Sequence, residues 1–193
     1  MTTTLSPTVV HDGAPAQHTS TPNAARLSPG ARYSLVALRL ATGFIFLWAF
    51  LDKAFGLGFS TPAARAWISG GKPSQGFLLG DGVTGPFKPF FAGIASPASD
   101  VLFMLGMIAI GLAVTLGVGL RVSAVVGSVI LVLMYLAEWV FTPNAASTNP
   151  LVDYHIIYAL ALIVIAATAA GDTFGLGKWW KTLPMVSSQK WLW

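Results

Sequence analysis

The chain has no cysteine, and only 9% of its 193 residues carry charge. Without cysteine there are no disulfides, no covalent c-type haem attachment and no thiolate-held iron–sulfur clusters. The charged fraction falls far below the roughly 25% of soluble domains, which points to lipid as the solvent. Histidine is scarce as well. Of the three, His11 and His18 lie in an amino-terminal stretch rich in Thr, Pro, Ala and Ser, so His155 stands alone in the rest of the chain. Bis-histidine haem ligation within this chain is thereby excluded. No Gly-rich nucleotide fingerprint follows a strand, and no phosphate loop or metal-protease motif is present.

What the chain does have is apolar sequence: 54% of it is hydrophobic. A spanning helix needs about 20 mostly apolar residues to cross ~30 Å of hydrocarbon. Four stretches meet that length, at residues 33–51, 101–120, 122–141 and 151–170. The first is closed by Asp52-Lys53, and Arg121 separates the second from the third. Asn149 as N-cap and Pro150 at the first helical position introduce the fourth. Backbone groups find no water in lipid, so helix is the expected spanning form. The expected fold is an all-α integral membrane protein, an up-and-down bundle of four helices in a domain covering residues 33–183. Residues 1–32 have no aromatic side chain and read as a disordered tail; they make a poor signal peptide. Residues 184–193 read as a short carboxyl-terminal tail.

Between the first two runs lies a segment rich in Gly, Pro and aromatics. "STPAARAWI" predicts a short helix from Pro62 to Ile68, and "GPFKPFFAGI" has the Phe and Pro content of a segment at the lipid interface. This long loop is expected to cap one end of the bundle. The second run carries a small-residue ridge at Ala109, Ala113 and Gly117. The third places Ala124, Gly127 and Leu131 on the side of Glu138, a pattern that suits close helix packing.

Orientation follows from the basic residues. With the amino terminus inside, Arg26, Arg32, Arg39, Arg121, Lys178, Lys181 and Lys190 are inside, against Lys53, Arg65, Lys72 and Lys88 outside. Both termini are expected in the cytoplasm of a multi-pass cell-membrane protein. The basic residues flank apolar runs and form no patch, so nucleic acid is not an expected partner.

This topology gathers Asp52, Lys53, Glu138, Asp153 and His155 at the outer end, beneath the long loop. Ionisable groups at membrane depth cost several kcal/mol unless paired or hydrated, so their gathering reads as a polar pocket. Asp52, Glu138, Asp153 and His155 are the candidate acid–base residues. Trp48, Phe55 and Tyr158 are the aromatic residues placed to line a quinone-like ligand. In a regular helix Asp153 and His155 point about 160° apart, so no metal site is expected there. Interfacial anchoring for the tryptophans and helix-end complementation for Asp153 are the simpler roles.

The segments "LRLATGFIFLWAFLDKAFGLGFSTP", "AWISGGKPSQGFL", "GPFKPFF", "NPLVDYHIIYALALI" and "GLGKWW" occur in that order. Together they resemble the DoxX/DoxD family of small four-helix membrane proteins, over about residues 35–181. The resemblance implies a membrane subunit, in some members one similar to the DoxD subunit of thiosulfate:quinone oxidoreductase. The positions it carries over are Arg39, Trp48, Asp52, Lys53, Asp153 and His155, with Glu138 at the usual acidic end of the third span. The chain contains no DoxA-like portion. The expected activity is therefore that of a quinone-linked oxidoreductase subunit, with membrane quinone as cofactor and no haem, flavin or iron–sulfur motif. The lipid bilayer, a second oxidoreductase subunit and further copies of the chain are the candidate partners. A non-catalytic anchor for a soluble redox enzyme is the alternative. A solute or proton carrier ranks last, because Arg39 is the only charged candidate in the inner half.

Overall fold

The structure is a computed structural model and describes residues 27–141 and 149–192. Most of the expected tail, along with Arg26, lies outside the described residues. Helix α1 spans Pro29–Phe55 and so takes in the last residues of that stretch. It starts where Ser28 Oγ accepts a hydrogen bond from Ala31 N and Pro29 pre-sets the first turn. Gly56, at φ +65°, ends it in the left-handed conformation that glycine adopts at little cost.

The segment that follows holds two 3₁₀ turns, Ala63–Arg65 and Trp67–Ser69, in place of one helix over Pro62–Ile68. Ala66, extended at ψ 143°, breaks the run between them. Two short helices come next: α2 at Pro73–Leu78 and α3 at Lys88–Ile94. Within "GPFKPFFAGI", Phe91 is buried while Phe87 and Phe90 face outward.

Helix α4 spans Pro97–Leu116 and α5 spans Leu120–Glu138. The chain reverses between them at Gly117 and Gly119, both with positive φ. The break therefore falls before Arg121, which sits in the first turn of α5 and donates to the Lys190 carbonyl at 2.7 Å. Helix α6, Tyr154–Ala167, starts later than the sequence suggests. Asn149 Oδ1 does accept from Leu151 N and Val152 N, but this closes a local turn ahead of the helix. Asp153 is the N-cap. Helices α7, Gly177–Thr182, and α8, Pro184–Ser187, complete the chain with a 3₁₀ turn at Lys190–Leu192. Among the described residues there is no strand.

Helix α1 lies mainly along α4, and α5 along α6; contacts of α4 with α5 and of α1 with α6 close the ring. The tight α1–α4 contact is at Gly43 and Gly111. A Cβ on Gly43 would sit 2.8 Å from Thr115 N, and one on Gly111 would sit 2.8 Å from Leu47 N. Ala109 faces outward, so the ridge expected through Ala109 is not the packing face. On α5 the expected face holds: Ala124 and Leu131 are buried, and Gly127 lies against Leu162. The core between the helices is built from Phe46, Met107, Ile110, Val114, Leu162 and Ile165.

Three helices, α1, α4 and α5, are long and apolar enough to cross a membrane. Only 22%, 33% and 28% of their apolar windows are buried inside the protein, so most of that surface needs lipid. This is a membrane protein. Helix α6 has 14 residues, about 21 Å at ~1.5 Å per residue, short of the ~30 Å hydrocarbon layer.

Candidate functional site

The two ends of the bundle differ in chemistry. One end carries the finish of α1 and α5 and the start of α4 and α6, with Asp52, Asp100, Glu138, Asp153 and His155. The long segment after α1 reaches this end. Val83 and Phe91 pack against Ala137, while Thr84 N and Thr84 Oγ1 donate to the carbonyls of Ala137 and Glu138. Those carbonyls belong to the last turn of α5 and have no intrahelical donor. Trp139, at φ 43°, turns the chain out of the helix and packs on Phe87 at 5.6 Å.

Asp153 lies at φ −97° and ψ −177°, extended and outside the helix. Its Oδ1 accepts from His155 N at 3.0 Å and Ile156 N at 3.3 Å, capping α6. Its Oδ2 lies 2.7 Å from His155 Nδ1. This corrects the expectation that the two side chains diverge by half a turn. That angle applies to two residues within one helix, and Asp153 precedes the helix. The cap geometry brings carboxylate and imidazole together.

Both partners are out of contact with solvent, at 0% side-chain exposure for His155 and 1% for Asp153. His155 Nε2 has no hydrogen-bond partner. A buried polar atom left so costs about 1–3 kcal/mol, and native proteins leave few of them. With Asp153 accepting from Nδ1–H, the lone pair is on Nε2 and faces no protein donor.

Glu138, half-buried, joins this pair through Tyr154, whose hydroxyl donates to its carboxylate at 3.2 and 3.4 Å. Tyr135 OH donates to the Pro150 carbonyl at 2.7 Å, which ties the entry into α6 to α5. One ligand atom from each of Glu138, Asp153 and His155 lies within 4.8 Å of the others, a set that could hold a metal ion. The Tyr154 ring lies 4.0 Å from the imidazole and 5.8 Å from Tyr158.

Asp52 has a different role. It is buried, yet its carboxylate accepts from Phe59 N at 3.1 Å, Ser60 N at 3.0 Å and Ser60 Oγ at 2.6 Å. These bonds fasten the loop after α1 onto its last turn. Trp48 belongs to the same corner, edge-on to Phe59 at 5.0 Å, and Phe55 is exposed. Among the described residues no hydrogen bond, ion pair or ring contact joins Asp52, Trp48 or Phe55 to Glu138, Asp153 or His155. The expected site thus divides: Tyr158 sits with the α5–α6 group, Trp48 and Phe55 with the loop corner. Asp52→Ala is expected to lower stability by roughly 3 kcal/mol, because three donors lose a charged acceptor. A thermal melt in detergent checks this, and an unchanged midpoint would show that the loop holds without the carboxylate.

A second buried carboxylate went unread in the sequence. Asp100 accepts from Ser74 N and Ser74 Oγ, both at 2.8 Å, from Gln75 N at 2.9 Å and from Gln75 Nε2. It pins the start of α2 to the first turn of α4. The available signal was a pair of Ser/Pro helix starts, Pro73-Ser74 and Ser96-Pro97, each with donors to satisfy.

The opposite end is basic. Arg39 is fully buried and donates from Nη1 to the Thr115 carbonyl at 3.1 Å and from Nη2 to the Phe174 carbonyl at 2.7 Å. Lys181 pairs with Asp172 at 2.6 Å. Comparison with protein-family models, with curated proteins and with solved structures finds no match for this chain.

Proposed function

We propose that this protein is a membrane subunit of a quinone-linked oxidoreductase, with the Asp153–His155 pair as the group that meets the ligand. One observation carries the reading: a fully buried imidazole, oriented by a carboxylate, whose Nε2 has no partner within the protein. Such an atom suits a ligand hydroxyl that arrives from the membrane and donates to it. The exposed ring of Tyr154 and the half-buried ring of Tyr158 beside it give a flat apolar molecule something to lie against. A membrane-dissolved quinone has that shape, and the hydroxyl of its reduced quinol form donates to the Nε2 lone pair.

In this reading His155 is the catalytic residue, exchanging a proton with the ring oxygen through Nε2. Asp153 is a positioning residue that fixes which nitrogen carries the proton. Glu138 and Tyr154 are the less buried link from the pair to water. Electrons come from a separate redox partner, since this chain has no haem or iron–sulfur motif. The resemblance of the "NPLVDYHIIYALALI" segment to the DoxX/DoxD family supports the same assignment, and the basic asymmetry of the chain supports an outer-face position for the site. Helix α6 and its flanks then form the fourth crossing.

The reading predicts that the protein, extracted in a mild detergent, retains quinone above the level of the surrounding lipid, and that His155→Gln loses it. Organic extraction followed by chromatography measures this. Equal quinone in both proteins would remove the proposal's support.

A further inference from the structure

We infer that the cleft beside the first turn of α1 binds the phosphate headgroup of an anionic phospholipid. It lies at the opposite end of the bundle from His155 and does not depend on the quinone reading. The cleft has a volume of about 400 Å³, and its lining includes Arg32 and Tyr33 of α1, Asp172, Thr173 and Phe174, and Lys178 of α7. Charge selects the ligand. Asp172 pairs with Lys181 at 2.6 Å, so its carboxylate is already neutralised. Arg32 donates from Nε and Nη2 to the uncharged Thr173 Oγ1, at 3.3 and 3.2 Å, which holds the guanidinium at the cleft without cancelling its charge. Among the described residues neither Arg32 nor Lys178 forms an ion pair. Both are exposed, so an anion reaches them without breaking an existing one. A guanidinium and an ammonium on one cleft suit phosphate oxygens.

Depth in the membrane decides for a lipid over a free phosphate. Helix α1 has 27 residues, about 40 Å at ~1.5 Å per residue, which exceeds the ~30 Å hydrocarbon layer and approaches the ~40–45 Å that includes the headgroups. Its first turn, with Arg32, therefore stands at headgroup level. The apolar part of the cleft fits the rest of a lipid. The rings of Tyr33 and Phe174 stack at 5.9 Å and are 59% and 76% exposed. Phe174 has a φ of 46°, unfavourable for a residue with a side chain, and its carbonyl accepts from the buried Arg39 Nη2 at 2.7 Å. The fold thus fixes an exposed apolar ring beside two unpaired cations. Water is a poor solvent for that ring, whereas the glycerol and upper acyl chain of a lipid held at Arg32 and Lys178 would cover it.

The test is a thermal melt of the full chain in mild detergent, titrated with phosphatidylglycerol, phosphatidylcholine or inorganic phosphate. The expected result is a saturable rise in midpoint with phosphatidylglycerol, smaller at high salt, and no rise with the other two. From the lipid concentration needed, Lys178→Gln should bind roughly fivefold more weakly, and Arg32→Gln combined with Lys178→Gln roughly 25-fold. Arg65→Gln, exposed at the other end of the bundle, should keep wild-type affinity. An equal rise with phosphatidylcholine would overturn the selection of an anionic lipid, and an equal rise with phosphate would show a site for the free ion. Wild-type affinity in the double variant overturns the site, as does absence of a saturable rise in wild type. If the double variant does not fold, Lys178→Gln decides, because the Lys178 side chain makes no hydrogen bond or ion pair among the described residues. Wild-type affinity there overturns the site.

Discussion

Under the proposed function, Asp153→Asn is expected to reduce quinone-linked turnover, assayed with the redox partner present, by about 10²–10⁴-fold while the protein still inserts and melts close to wild type. Asparagine is as good an N-cap as aspartate, so the cap on His155 N and Ile156 N survives and stability changes by less than about 1 kcal/mol. What changes is the imidazole. Asp153 Oδ2 can only accept from Nδ1, leaving the lone pair on Nε2; an amide can donate to Nδ1 instead and move the proton to Nε2. The ligand then meets the wrong form of the ring. A structural pair behaves differently, because neutralising one buried partner weakens the protein by roughly 3–5 kcal/mol. Turnover and a detergent melt, measured on the same preparation, separate the two. A well-folded variant with wild-type turnover would sink the positioning role of Asp153.

Arg39→Met is expected to destabilise the bundle by roughly 2–4 kcal/mol, although methionine fills most of the volume. Two effects oppose each other. Removing a buried cation removes its desolvation cost, which favours the variant. Removing it also leaves the carbonyls of Thr115 and Phe174 without these donors, at about 1–3 kcal/mol each. The carbonyls should win, because Thr115 lies in the last turn of α4, where the negative helix end favours a cation. The fork also spans two segments far apart in sequence. Gly117 and Gly175 make room for it, since a Cβ at either would collide with the guanidinium. Arg39→Lys should recover only part of the loss, as one ammonium lacks the planar fork. A melt that is unchanged or higher in Arg39→Met would mean desolvation outweighs the hydrogen bonds.

The apolar helices were legible because lipid allows little choice: a crossing needs a long apolar run, and the chain has them. The gathering of ionisable groups at one end followed directly, since alternating direction brings the finish of α1 and α5 beside the start of α4 and α6. The start of α6 was misread because Asn149-Pro150 carries the composition of a helix start while forming only a turn. That error of four residues put Asp153 inside a helix and led to the wrong angle between Asp153 and His155. Asp52 was legible as buried and acidic but not as a loop clamp, because its donors are backbone amides of Phe59 and Ser60. Backbone donors leave no pattern in sequence. Asp100 and Ser74 pair across 26 positions, and Gly43 meets Gly111 across two helices. No periodicity within one helix reveals either contact.

The unpartnered Nε2 of His155 carries the proposed function, and ¹⁵N-histidine NMR of the detergent-solubilised protein observes that atom directly. A short-chain quinol is added to the labelled protein under reducing conditions, with the His155→Gln variant assigning the resonances. The prediction is a saturable shift of the His155 Nε2 signal, with Nδ1 moving less because Asp153 holds it throughout, and with His11 and His18 unmoved. A quinol that binds while the His155 ring signals stay in place would contradict the proposed function, since the ligand would then lie elsewhere in the bundle.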